Sequence, residues 1–221
     1  MDDVEAMAAL RDPVRRRLYE YVSAQDHEVG RNEAAEAVGV QRTLAAHHLD
    51  RLAEAGLLET TSRRLSGRSG PGAGRPAKLY RRAAGERTVS LPPRDYRTAA
   101  ELLAEAAEES GLDEPLHRAA RSRGRQLAER AGPVGDLEAA RALLAARGYE
   151  PVVEETPGGA VLRMRNCPFH ALSEEFPPLV CGMNLALLEG LFENAPGLAP
   201  RMDPRPGWCC TVLGASKNNE R

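Results

Sequence analysis

At 221 residues the chain is long enough for two modest domains, and no stretch approaches the roughly 18 apolar residues of a membrane span. Its formal net charge of −2, from 30 Lys+Arg against 32 Asp+Glu, excludes a uniformly basic polyanion binder. The opening MDDVEAMAALRDP is acidic where a secretory leader is basic, so a cytoplasmic protein is expected. In that reducing compartment four cysteines point toward metal or redox chemistry before structural disulfides.

The charge is not evenly spread. Arg63, Arg64, Arg68, Arg75, Lys78, Arg81, Arg82 and Arg87 oppose only Glu86 between positions 63 and 87, whereas residues 91–221 hold 15 basic and 19 acidic side chains. Any polyanion contact is therefore expected in the first half.

In chain order, RDPVRRRLYEYVS predicts a helix from Arg11 to about Ala24, with Pro13 in its first turn and Val14, Leu18, Tyr21 and Val22 at helical spacing. RNEAAEAVG predicts a second, capped by Asn32 and stopped by Gly39. A third runs from about Arg42 to Ala55 and ends at Gly56. GLLETTSRR then reads as a strand, LSGRSGPGAGRPA as a Gly/Pro/Ser turn and KLYRR as a second strand.

Along the third helix Ala45, Leu49 and Leu52 form one stripe, which leaves Arg42, Thr43, Ala46 and His47 on another face near the helix start. Such a face suits the major groove, with Gln41 and Arg42 as hydrogen-bond donors and Ala46 permitting close approach. The hairpin that follows resembles a wing: Arg68 and Arg75 lie near its tip, and Lys78, Arg81 and Arg82 are placed for flanking phosphates. Neighbouring His47 and His48 point about 100° apart on a helix, so they are read as a DNA-facing residue and a packed one, not as a metal pair.

LRDPVRRRLYEYV, VGVQRTLAAHHLDRLAEAGLLE and GRPAKLY, spanning about residues 8–83, resemble the winged helix-turn-helix of ArsR-type bacterial regulators. The resemblance implies a homodimer that binds pseudo-palindromic double-stranded DNA operators.

Residues 97–147 read as three Ala/Leu/Glu/Arg helices, suited equally to a dimer interface or an intrachain bundle. YEPVVEETPGGAVLRMRN predicts two strands around TPGG. CPFHALSEEFP predicts a short helix with Pro168 first, PLVCGMNLALLEGLFENA a longer helix, and RMDPRPGWCCTVL a turn and a strand.

Cys167 then precedes a helix start, Cys181 shares a side with Leu185, Leu188 and Phe192, and Cys209 and Cys210 alternate along the last strand. No CxxC pair occurs. Structural zinc is thereby weakened, while an iron–sulfur cluster, a thiol switch and plain packing of small apolar thiols all stay open. His170 and Cys210 are the candidate fourth ligands beside Cys167, Cys181 and Cys209.

NCPFHALSEEFPPLVCGMNLALLEGL and DPRPGWCC resemble the sensor region of SufR-like regulators over about residues 150–213, with Cys167, Cys181 and Cys209 matching the cysteine pattern. A further cysteine that some members carry is missing around Ala195. This implies an iron–sulfur cofactor and a redox-sensing repressor. The alternative is a metal-free regulator whose second half binds a small molecule or only dimerises. No nucleotide fingerprint or Ser/His/Asp arrangement suggests an enzyme.

The expected fold is α+β and mostly helical: a winged helix-turn-helix over 1–90, then a helical dimerisation region and a small α+β sensor over 91–221.

Overall fold

The computed structural model describes residues 3–63 and 76–215. The fold is α+β, about half helical, with nine helices and two small antiparallel sheets among the described residues. The chain divides into two compact units, Met1–Arg94 and Asp95–Arg221.

In the first unit α1 (Asp3–Ala9) and α2 (Pro13–Ala24) are separated by Asp12, whose carboxylate accepts from the Val14 and Arg15 amides, both at 2.9 Å. These are two of the donors that the first helical turn leaves unpaired, and Pro13 has none to lose. α3 (Arg31–Val38) starts one residue before the expected cap. Gly30 holds that position, and the Glu33 carboxylate reaches back to its amide, so Asn32 is left inside the first turn. Gly39 ends α3 at φ 71°, a left-handed conformation that glycine takes without strain, and α4 (Arg42–Glu54) follows two residues later.

Strands β2 (Leu58–Arg63) and β3 (Ala77–Arg82) pair from Leu58↔Arg82 to Arg63↔Ala77, and the two-residue β1 (Val29–Gly30) adds to the other side of β3. Leu18, Val22, Val29, Ala34, Ala45, Leu49, Leu52, Leu58 and Tyr80 form one buried core between helices and sheet.

The second unit begins with α5 (Tyr96–Glu109), α6 (Asp113–Ala131) and α7 (Leu137–Ala145). Then come β4 (Pro151–Thr156), β5 (Gly159–Met164), α8 (His170–Glu175), α9 (Pro177–Leu191), β6 (Leu198–Met202) and β7 (Thr211–Ala215). The sheet order is β4-β5-β7-β6, antiparallel throughout. Pro151 and Pro200 lie on its two edge strands, where a missing amide costs no ladder bond.

Helices α6 and α9 meet backbone to backbone. A Cβ on Gly124 would overlap the Leu187 carbonyl oxygen, and one on Gly190 the Arg121 carbonyl. No described helix is long and apolar enough to cross a membrane.

Two expectations shift here. The short helix begins at His170, so Pro168 lies in the preceding turn and not at its first position. The final strand begins at Thr211, so Cys209 and Cys210 sit in the bend that enters it, and strand alternation does not govern them.

Candidate nucleic-acid interface and thiol group

In the first unit α4 has two sharply different faces. Ala45, Leu49 and Leu52 are 0% exposed and anchor the helix in the core. Gln41, Arg42, Thr43, Leu44 and His47 are exposed, and Ala46 is half-buried. Arg42 makes no ion pair with a described residue, which leaves its guanidinium available to an external partner. His48 is buried, its Nδ1 has no hydrogen-bond partner among the described residues, and burial holds its pKa below the ordinary imidazole value.

A polar hub ties this helix to the hairpin. Asp50 on α4 accepts from Arg31 on α3 at 2.8 Å, and from Lys78 at 2.6 Å and the Tyr80 hydroxyl at 2.8 Å on β3. Arg31 Nε also donates to the Tyr80 oxygen at 2.9 Å. Burial pushes the Tyr80 phenol up to about 12, and the Asp50 hydrogen bond adds to this. Burial works against the Asp50 charge, yet Lys78, Tyr80 and Arg31 together hold its pKa below the usual carboxylate range.

Lys78 is therefore a latch between strand and helix in this structure. Arg81 is likewise paired, donating twice to Glu59 at 2.7 and 3.0 Å. Both lie at or near the surface, where such pairs are worth little and exchange partners readily. Arg64, Arg68 and Arg75 lie outside the described residues.

In the second unit the four cysteines, all free, meet at one end of the sheet. The turn after β5 carries Cys167 and is tied by the Asn166 side chain to the Gly148 carbonyl at 2.6 Å. The bend holding Cys209 and Cys210 is fixed by Cys209 N–H donating to Met164 at 2.9 Å and Asp203 N–H donating to Cys210 at 2.8 Å. Arg165 lies over the Trp208 ring, 5.6 Å from its centroid, and steadies the same bend.

Behind the bend is Arg163, only 2% exposed. It donates to Glu154 at 2.7 Å and to both the carbonyl and carboxylate of Asp203. Burial opposes its charge, and the two carboxylates more than offset that, so its pKa lies above the ordinary value.

The thiols influence one another's ionisation. Hydrogen bonding from Cys209 lowers the Cys167 pKa, despite burial, and the Phe169 amide adds to the effect. The same contact is the main reason Cys209 is pushed up to about 11. Cys210 is raised, first by Cys209 and then by burial. Cys181, raised to about 12 mainly by burial, interacts with Cys210. Among the four, the anion is favoured at Cys167.

All three expected cysteines and Cys210, one of the two candidate fourth donors, take part in these interactions. His170 is not in the group; its exposed imidazole faces Glu174 at 3.6 Å. Among the described residues no three His, Cys, Asp or Glu side chains converge as a site for a single metal ion. In donor chemistry alone, a set of thiols suits a thiophilic group.

Two residues of this neighbourhood had not been expected. The buried Tyr149 hydroxyl donates to Asn184 Oδ1 at 2.5 Å, and Asn184 Nδ2 donates to Cys209 Sγ at 3.5 Å. Their signal in the sequence is a lone amide inside the apolar run VCGMNLALL.

No family model matches the chain, and neither a curated protein nor a solved structure matches it.

Proposed function

We propose that the chain is a sequence-specific, DNA-binding transcription regulator of the ArsR type, SufR-like, acting as a repressor and as a homodimer. Its first unit is read as a winged helix-turn-helix in which α3 and α4 are the helix pair and β2–β3 the wing. The observation that carries this reading is the division of α4: a fully buried stripe beside exposed Arg42, Thr43 and His47, with Arg42 making no ion pair among the described residues.

Set in a major groove, Gln41, Arg42, Thr43 and His47 meet base edges, and Leu44 offers an apolar contact of the kind that reads a thymine methyl. Lys78 and Arg81 exchange their carboxylate partners for phosphates as salt is released. Two copies place their α4 helices about 34 Å apart, one helical turn of DNA.

In the second unit Cys167, Cys181 and Cys209, with Cys210 as the fourth donor, would hold an iron–sulfur cluster. When bound, such a group supplies a centre whose charge and integrity follow redox conditions. Cys167 contributes the sulfur already biased toward thiolate, and the bend fixed by Arg163 and Asp203 keeps Cys209 and Cys210 facing it. Switching operator occupancy almost completely between two such states takes about 5.5 kcal/mol of differential affinity.

Selection of duplexes from a random pool by the anaerobically purified full chain tests this reading. One short two-fold-symmetric site should emerge, and Arg42→Ala should weaken binding to it and relax its sequence. Recovery of no preferred duplex would overturn the DNA reading. Iron and acid-labile sulfide analysis of the same preparation decides the cofactor: a colourless, iron-free protein that binds its operator normally is a metal-free regulator.

A further inference from the structure

Asn184 is the anomaly of α9. It is 1% exposed on a helix that otherwise buries Leu179, Val180, Ala186, Leu188 and Leu191. An amide placed there loses its water, and the loss is recovered only through hydrogen bonds of good quality. Its carbonyl is satisfied by the Tyr149 hydroxyl, itself 3% exposed. For its N–H the described partner is the Cys209 sulfur, also 3% exposed.

A neutral thiol is a weak acceptor and repays a buried amide poorly. An anionic sulfur is a strong one, since charge-assisted bonds are roughly twice as strong as neutral ones. The Tyr149 bond also sets which way the amide points, because the opposite orientation would aim a carbonyl oxygen at the sulfur.

We propose that Tyr149 and Asn184 are positioning residues for Cys209, forming a relay in which the hydroxyl fixes the amide and the amide N–H donates to the sulfur, a bond that strengthens when that sulfur serves as a ligand. This rests on the reading of the cysteines as ligands of a thiophilic group. Residues that hydrogen-bond a ligand from behind govern both retention and electronics of what it holds, and N–H donation to sulfur favours the reduced form.

Three variants test it. Asn184→Leu removes the donor, Tyr149→Phe removes only the group that orients it, and the double variant Tyr149→Phe/Asn184→Leu leaves neither partner stranded and so preserves folding. In full-length protein reconstituted with iron and sulfide, Asn184→Leu and the double variant should lose visible absorption to a chelator about 10- to 100-fold faster than wild type. Their midpoint potentials should move negative, with Tyr149→Phe shifting less.

A second readout needs no cluster. By nuclear magnetic resonance of the reduced, metal-free protein, the Asn184 side-chain amide protons should exchange slowly with solvent. They should shift on Cys209→Ser more than on Cys181→Ser.

If the wild type takes up iron and sulfide while the variants match it in retention and potential, the relay is wrong and the cluster reading stands. If the wild type takes up neither, the cluster reading fails. The relay is then judged on the amide alone, and fast exchange insensitive to Cys209→Ser overturns it.

Discussion

The two units hold their candidate groups in opposite ways. In the first, Arg42, Thr43 and His47 stand at the surface of a helix whose far side is locked in the core, and the Asp50 hub behind them is about a third exposed. In the second the thiols are half-buried or buried, the hub is the dry Arg163, and α6 and α9 touch through their backbones. An exposed helix face tolerates change, whereas side chains packed in a buried neighbourhood do not. Equivalent substitutions should therefore be cheap in one unit and costly in the other.

The largest difference is expected between glycines. Gly190→Ala forces a methyl into the Arg121 carbonyl, and backbone cannot step aside; thermal unfolding should show a loss of about 3 kcal/mol or more. Helix propensity alone would predict a gain of nearly 1 kcal/mol, so even the sign is diagnostic. Gly39→Ala in the first unit meets no neighbouring atom and pays only for its left-handed backbone, about 1 kcal/mol.

Next come the hubs. Asp203→Ala strands a buried guanidinium with Glu154 as its remaining carboxylate, and denaturant unfolding should register about 3 kcal/mol. Asp50→Ala leaves Arg31 and Lys78 within reach of water, and only the buried Tyr80 hydroxyl loses an acceptor it cannot replace, so it should cost about 1–2 kcal/mol. Equal losses at the two aspartates would erase the distinction between a dry hub and a wet one.

Arg42→Ala should leave stability unchanged and cost about 1–3 kcal/mol of affinity for a selected duplex, measured by titration at fixed salt. The smallest effect is on pH dependence. Burial depresses the His48 pKa, so the unfolded chain takes up this proton more readily than the folded one. The contribution is whole above about pH 6.5 and diminishes as pH falls below it. His27 has the opposite sign, since Glu33 and Asp26 raise its pKa and its contribution is lost as pH rises. Melting curves of His48→Gln should lack the acid-side loss that wild type shows.

Much of the first unit was legible because punctuation and periodicity agree there: Pro13, Gly39 and Gly56 bound helices whose apolar spacing is regular. β1 was not, because two residues carry no period and exist as a strand only through β3. In the second unit β6 was not expected, its last residues being read as part of a turn, although an edge strand accepts a proline such as Pro200. The cysteine positions were visible in the sequence. The backbone that holds them was not, since the bend before β7 and the turn before α8 come from tertiary bonds to Met164 and Gly148. Asn184 and Arg163 were hidden for a related reason: a buried polar group is recognised by its partners, and these include Tyr149 and Asp203, 35 and 40 residues away.

The central claim is that the exposed turn of α4 meets duplex DNA. Its most direct test is a photo-crosslinking side chain introduced singly at Thr43, at His47 and, as a control, at Glu108 of α5, in full-length protein bound to its selected duplex. Adducts to bases from positions 43 and 47, with none from 108, are the predicted result. A complex that forms with full affinity yet gives no base adduct from either α4 position would contradict the account.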